Sequence, residues 1–427
     1  MENSRLRIVV TVNGPGEVAG WLHPFALSAR RRFPWLEIVA AVLPCVYASG
    51  MEAQVLRQSN LVDKVWDSSF AMRTILRGPS ANGAAGTPTC LLHMGGEPLL
   101  SLLLGKRLMG PVFAYAESPI ALQSRFDRIF WAGETHLHSR LSGLPLFRGK
   151  NFAGSHAKGS PAREVVGNLM VDSALLQCAK TAHDMEKGLC IGLFPGSRPY
   201  QFTHMLPFYL EVARELIKSY PGAEVLLAKA DFLSLKMVDE LCRKSPGLLG
   251  GAKCRLLPGS GPDMGFVETE QGFRVKVCSA GQVMEKAHLA LTVPGTNTAQ
   301  LAALGIPMVV TFPTFHAHVH PLPGIMGFLS KIPGVGRYLK EKAAFAYLKT
   351  WPFTAHPNIR AGRAVVPEVL GAINDRDVLK AARNLLENSM EKTRRDLLEV
   401  MGGPGAADRL TGALLAACRE HNILKDF

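Results

Sequence analysis

The sequence has few charged residues and no cysteine pattern typical of a metal site or a disulfide framework. Charged residues make up 19% of its 427 positions, and no long low-complexity tract occurs, so we expect disorder only at Gly78–Thr87 and the termini. The eight cysteines are scattered without a C-x-x-C pair, which argues against zinc and against disulfides. They are typical of buried thiols in a reducing compartment.

Signals for export or membrane insertion are also missing. No run reaches the roughly 18 consecutive apolar residues that a spanning helix needs. Residues Met1–Arg7 lack the apolar core of a signal peptide, so we expect a cytoplasmic protein. The formal net charge of +13 favours an anionic partner: nucleic acid, an anionic membrane or a phosphorylated substrate. Because no zinc-finger spacing or aromatic RNA-binding motif occurs, we predict no nucleic acid partner.

The order of apolar segments predicts an α/β fold with two doubly wound parallel sheets. At 47% hydrophobic residues the chain can fill two cores, and short apolar strands alternate with helical segments through most of its length. We expect a Rossmann-like domain at 1–180, a second at 181–370, and C-terminal helices at 371–427 that pack back across the domains. Two such domains facing a cleft form the GT-B architecture, with the active site at the carboxyl ends of both sheets.

Two glycine turns in the second predicted domain suggest an anion site. Leu193-Phe-Pro-Gly-Ser-Arg198 and Leu289-Ala-Leu-Thr-Val-Pro-Gly-Thr-Asn-Thr298 each read as a strand that breaks into a turn before a helix, which we expect near His204 in the first case. Such turns leave free N–H groups at a helix N-terminus, and Arg198 adds a cationic fork. One alone would be an ordinary tight turn. Two together favour a nucleotide diphosphate.

Four segments resemble lipid-A-disaccharide synthase, a bacterial glycosyltransferase family, in the same order along the chain. They are Gly16-Glu-Val-Ala-Gly20, Leu193–Arg198, Pro294–Leu304 and, the most specific, Pro357-Asn-Ile-Arg-Ala-Gly-Arg-Ala-Val-Val-Pro-Glu368. The resemblance implies a UDP-sugar donor, transfer of an acylated glucosamine to a lipid-linked acceptor such as 2,3-diacylglucosamine 1-phosphate in lipid A biosynthesis, and a peripheral position on the inner face of the cytoplasmic membrane. A homodimer is left open.

The sequence departs from the family's pattern mainly on the acceptor side. Trp21 replaces an acid of the first motif, and Met94-Gly-Gly-Glu-Pro98 aligns with the motif that carries the family's catalytic aspartate. Gln300 stands where the family has a helix glutamate that the resemblance expects to contact the ribose hydroxyls of the donor. These departures leave three alternatives open: a sister family with another acceptor, a UDP-sugar-binding protein without turnover, or a UDP-sugar epimerase.

The candidate catalytic residues lie in the first predicted domain. Glu97 follows Gly95-Gly96 at the end of a buried strand and is the candidate base, with Glu17 and His93 in the same layer. Glu97 could equally be an acid at a helix N-terminus, and Glu17 could bond its own glycine turn. Neither glycine turn of the second domain is accompanied by an Asp-x-Asp motif, so we predict no metal and no cofactor. The predicted UDP-sugar-binding residues are Gly196, Ser197, Arg198, Gly295, Thr296, Asn297, Gln300 and Asn358.

A basic and apolar segment, Ile325–Lys349, is a candidate membrane contact. The preceding His316, His318 and His320 lack nearby acidic or cysteine ligands, which favours a polar loop over a metal site. The segment itself mixes apolar side chains with lysine and arginine, as interfacial segments do. An ordinary helix pair packed across the two domains is the alternative.

We predict that the protein co-sediments with vesicles that contain anionic lipid, and less so at high salt. Each lysine or arginine near the surface should contribute about 1 kcal/mol. A charge-reversed Lys331→Glu, Arg337→Glu, Lys340→Glu variant should stay in the supernatant. If the wild type does not co-sediment with such vesicles at low salt, a soluble acceptor becomes the better interpretation.

Overall fold

A computed structural model of the protein describes residues 5–44, 50, 52–78, 87–133, 162–178, 188–231, 233–244, 247–260, 263–313 and 353–424. The chain divides into two compact units. The first contains the described residues of Met1–Ser173 and Gly403–Phe427, and the second those of Ala174–Leu322 and Leu329–Gly402. The segment Ile325–Lys349, the histidines at 316, 318 and 320, and most of Gly78–Thr87 lie outside the described residues.

The first unit contains a sheet of seven parallel strands. They are β1 (Arg7–Val12), β2 (Glu37–Val42), β3 (Lys64–Trp66), β4 (Thr89–His93), β5 (Val112–Ala116), β6 (Arg128–Trp131) and β7 (Ala162–Val165). Their order in the sheet is β3-β2-β1-β4-β5-β6-β7. β1, β4 and β5 are buried along their whole length, as parallel strands covered by helices on both faces must be.

Helices flank both faces of this sheet. A short helix follows β1, and a π-helical turn at Val18–Leu22 continues it directly into a ten-residue helix at His23–Arg32. The helices are α1 (Pro15–Glu17), α2 (His23–Arg32), α3 (Glu52–Ser59), α4 (Ser68–Arg77), α5 (Pro98–Leu108), α6 (Leu169–Gln177, whose second half belongs to the other unit) and, from the end of the chain, α14 (Ala406–Glu420).

The second unit repeats this winding in an eight-stranded sheet. The strands are β8 (Cys190–Phe194), β9 (Glu224–Lys229), β10 (Cys254–Leu257), β11 (Phe266–Thr269), β12 (Arg274–Ser279), β13 (Leu289–Thr292), β14 (Met308–Pro313) and β15 (Glu368–Gly371). Their order in the sheet is β10-β11-β12-β9-β8-β13-β14-β15. All neighbouring strands are parallel except β10–β11 and β11–β12, which form an antiparallel edge.

The helices of the second unit begin with a 21-residue helix directly after β8. Ten residues of this helix are buried in the core of the unit, and further helices follow the other strands. They are α7 (Pro199–Ser219), α8 (Leu235–Arg243), α9 (Ala280–Lys286), α10 (Thr296–Ala303), α11 (His356–Ala361), α12 (Asp375–Asn384) and α13 (Met390–Met401). The predicted α/β class with two doubly wound sheets is confirmed, and no helix among the described residues is long and apolar enough to cross a bilayer.

The last helix, α14, returns to the core of the first unit. Leu410, Leu414 and Cys418 are fully buried there beside side chains of β1 and α2. Its N-terminus is held by Asp172, whose two carboxylate oxygens accept hydrogen bonds from Gly405 N and Ala407 N, both at 2.6 Å. Asp172 therefore satisfies donors that a helix start leaves unpaired.

We predict that Asp172→Ala lowers the free energy of unfolding by about 1–2 kcal/mol, because it removes a side-chain cap from two backbone donors. Urea denaturation measures the change. Asp231→Ala, at an exposed aspartate of the second unit, serves as the matched control and should be neutral. An Asp172→Ala protein as stable as the wild type would show that the cap contributes nothing.

Candidate functional site

The two glycine turns of the second unit lie side by side. β8 and β13 are adjacent parallel strands, with Phe194 opposite Thr292, so their carboxyl ends meet at the same edge. The strand order reverses between them, since β9 lies on the other side of β8 and β14 on the other side of β13. This is the topological switch point, where open α/β sheets leave a crevice for ligands.

Both turns need glycine because both positions have a positive φ, and the first is also crowded. Gly196 has φ +105°, and a Cβ there would lie 2.7 Å from Gln201 Oε1. Gly295 has φ +147° at the N-cap of α10, and a Cβ there would meet nothing within 4 Å. The second glycine is therefore required by its backbone conformation alone, and the space above it is open.

The first turn is closer to its helix than the sequence predicts. The helix expected near His204 begins at Pro199, and Arg198 is its N-cap. Arg198 is half-buried, and its Nη1 lies 3.4 Å from the Tyr200 hydroxyl. Ser197, Thr296 and Asn297 are likewise half-buried. Two helix N-termini and a guanidinium thus share one edge of the sheet, an arrangement that favours an anion.

A threonine that the sequence analysis did not single out ties the second turn together. Thr298 Oγ1 donates to the Gly295 carbonyl at 2.8 Å and accepts from His356 N at 3.1 Å. It thereby links the glycine turn to the start of α11, far along the chain. The only signal in the sequence was the repeated threonine after Gly295.

Gln300 and Asn358 occupy interior positions. Gln300 lies within α10 and is 4% exposed. Asn358 is fully buried: its Nδ2 donates to Val366 O and Glu368 Oε1, and its Oδ1 accepts from Val365 N and Val366 N. All four hydrogen-bonding positions of the amide are used within the protein, so its geometry argues against the sugar-binding role expected for Asn358. It fixes the chain that enters β15.

The first unit has an equivalent switch point between β1 and β4. Thr11 lies opposite His93, and the Thr11 carbonyl accepts from both Met94 N and Gly95 N. Glu17 packs over this point, since a Cβ on Gly95 would lie 2.7 Å from its Cγ and one on Gly14 would lie 2.8 Å from its Oε2. The glycines of both turns thus leave room for the Glu17 side chain.

Glu97 and His93, the other two candidate catalytic residues, have very different surroundings. Glu97 is the N-cap of α5, is exposed, and makes no capping hydrogen bond through its side chain. His93 is 4% exposed, and its Nδ1 lies 2.8 Å from Ser101 Oγ and 3.3 Å from Thr11 Oγ1. Burial lowers the pKa of His93 to about 4, so the ring is neutral at physiological pH. This network joins β1 and β4 to α5.

Trp21 and Glu117 form a contact that the sequence analysis missed. The Trp21 indole Nε1 donates to Glu117 Oε1 at 2.8 Å, and its ring meets Tyr115 edge-on with centroids 5.8 Å apart. The sequence showed Trp21 only as the loss of an acid. Within the described residues, no group of three or more histidine, cysteine, aspartate or glutamate side chains is placed to hold a metal ion.

Two Rossmann-like sheets in one chain, each with a switch point between its central strands, are the topology of the GT-B fold, and the fold of solved structures agrees. The chain resembles a Listeria monocytogenes protein provisionally named UDP-N-acetylglucosamine 2-epimerase, with 15% identity, a TM-score of 0.54 and 99% of each chain covered. It also resembles another UDP-N-acetylglucosamine 2-epimerase, with 12% identity, a TM-score of 0.53, and 100% of this chain and 98% of that one covered. These likenesses show the fold alone.

Sequence comparison finds relatives that match the chain over nearly its full length and share one name. The chain is 28% identical to lipid-A-disaccharide synthase of Geobacter sulfurreducens in an alignment 440 positions long, which covers 97% of this chain and 98% of the relative. It is 23% identical to lipid-A-disaccharide synthase of Syntrophotalea carbinolica in an alignment 429 positions long, which covers 95% of this chain and 94% of that relative. No protein-family model matches the chain.

We predict that Asn358→Ala lowers the free energy of unfolding by about 2–4 kcal/mol, because buried partners of the amide lose their hydrogen bonds. The affinity of the folded fraction for UDP should stay within twofold of the wild type. Urea denaturation and calorimetric titration with UDP measure the two effects. Unchanged stability with weakened UDP binding would instead restore the ligand-binding role.

Proposed function

We propose that this protein is a glycosyltransferase that moves an acylated glucosamine-type sugar from a UDP-sugar to a lipid-linked acceptor such as 2,3-diacylglucosamine 1-phosphate. The observation that carries the proposal is the pair of glycine turns at the β8–β13 switch point. The near full-length similarity to enzymes named lipid-A-disaccharide synthase supports the choice of donor and acceptor. The protein would then work in the cytoplasm, on the inner face of the membrane.

The second unit would hold the UDP diphosphate. The backbone donors of Gly196 and Ser197 at one turn, and of Gly295, Thr296 and Asn297 at the other, lie at two neighbouring helix starts. The two helix dipoles and Arg198 would attract the diphosphate before transfer and stabilise the charge that develops on it as the sugar leaves. Cationic and dipolar groups of the protein would thus do what a divalent cation does in metal-dependent transferases.

The first unit would supply the acceptor side of the reaction. Transfer requires a group that takes the proton from the acceptor hydroxyl, and carboxylates are suited to that role. The edge formed by β1 and β4 carries Glu17 and Glu97, the two carboxylates named from the sequence. The buried, neutral His93 would stabilise this edge through its hydrogen bonds to β1 and α5.

We predict that Arg198→Ala weakens the binding of UDP at least 30-fold, because it removes a charge-assisted contact worth about 2–4 kcal/mol. Calorimetric titration with UDP in the presence of EDTA measures the loss and also tests independence from divalent metal. Arg243→Ala is the matched control, since that guanidinium pairs with Asp239 at the surface. Unchanged affinity in Arg198→Ala would overturn the diphosphate site, and a wild type that binds UDP only with added magnesium or manganese would overturn the metal-free mechanism.

A further inference from the structure

A carboxylate outside the predicted set is held in place at the carboxyl-end edge of the first sheet. Glu117 is the first residue after β5, and β5 lies next to β4 in the sheet. Trp21 belongs to the π-helical turn that follows β1, on the other side of β4. The hydrogen bond from Trp21 Nε1 to Glu117 Oε1 therefore reaches from one side of β4 to the other, at the switch point.

The indole that holds Glu117 is itself anchored. Its ring packs edge-on against Tyr115, which is 1% exposed. The Tyr115 hydroxyl accepts from Leu169 N at 3.0 Å and donates to Gly167 O at 3.3 Å. The ring contact and these hydrogen bonds fix Trp21 relative to β5 and to the start of α6. A carboxylate bonded to such a group loses little conformational freedom when a substrate arrives.

Other carboxylates at this edge are less suited to act on a substrate. Both oxygens of Asp172 cap α14. Glu17 packs against the glycines of the two central turns, and Glu97 is exposed without a capping contact to orient it. Glu117 is half-buried and accepts a hydrogen bond from the Trp21 indole, whose ring packs against Tyr115. This position combines a fixed direction with partial exposure.

We propose that Glu117 is the group that accepts the proton in the transfer reaction, and that Trp21 is its positioning residue; this assignment rests on the proposed function. The acceptor hydroxyl oxygen attacks the anomeric carbon of the donor sugar while its proton passes to Glu117. The bond from the anomeric carbon to the diphosphate oxygen breaks, and UDP leaves with the electron pair. Glu117 then releases the proton to water. Trp21, which stands where the resembled family has an acid, would thus orient a carboxylate contributed by another strand.

The experiment measures UDP release from UDP-2,3-diacylglucosamine with 2,3-diacylglucosamine 1-phosphate as acceptor. Glu117→Gln keeps the side-chain shape but removes the proton acceptor, so kcat should fall at least 100-fold. Glu117→Ala should be equally slow and should regain at least tenfold in rate when formate is added, because a free carboxylate can take the vacant place. Glu391→Gln, at an exposed glutamate of α13, is the control and should match the wild type.

Trp21→Phe separates positioning from packing. It keeps an aromatic ring against Tyr115 but loses the N–H donor, so kcat should fall about tenfold while KM for both substrates changes less than twofold. Thermal unfolding should show that each variant is folded. Calorimetry should give an unchanged affinity for UDP in all of them, because the groups proposed to bind UDP lie in the other unit.

Two outcomes overturn the assignment in distinguishable ways. If the wild type releases UDP and Glu117→Gln does so at a similar rate, or if Glu97→Gln is the variant that loses turnover, Glu117 is not the proton acceptor but the proposed function stands. If the wild type binds UDP but transfers no sugar, the proposed function fails, and this assignment fails with it.

Discussion

The pairing of two central parallel strands in each sheet is the constraint on which the rest of the structure depends. β1 pairs with β4, and β8 with β13, and in both cases the winding of the chain reverses at that pair. The helices that follow the two strands therefore leave in opposite directions and cannot cover the strand ends. The glycine turns, Arg198 and Glu17 lie at these two edges.

Much of the fold could be predicted because its strands are buried and its turns carry glycine. β4 (Thr89–His93) and β5 (Val112–Ala116) are unbroken runs of buried residues, as the alternation of short apolar strands with helical segments predicts. Two parts of the sheets lack the apolar periodicity that predicts a strand: β3 has three residues and an exposed lysine, and the antiparallel pair β10–β11 lies at a sheet edge. α7 begins at Pro199 and not near His204, because proline is well suited to the first position of a helix.

The candidate site was less predictable, because its contacts join residues far apart in sequence. The two turns at the β8–β13 edge followed from local pattern alone. The sequence predicts that Asn358 binds the ligand, whereas in the fold its amide forms hydrogen bonds with Val365, Val366 and Glu368. The Trp21–Glu117 bond spans 96 positions, and no local pattern could have indicated it. The residue type shows which hydrogen bonds a side chain can form, whereas the fold shows which of them it does form.

The return of α14 to the first unit has a consequence for biosynthesis. The core of that unit includes side chains of residues 406–418, yet its sheet is built from the first 165 residues of the chain. A nascent chain that has exposed only its first half thus has its seven strands but an uncovered apolar face beside β1 and α2. The second unit, by contrast, is contained within the described residues from Ala174 to Gly402. The first unit can therefore complete its apolar core only after residues 406–418 have been synthesised, although its sheet is the first part of the chain to be made.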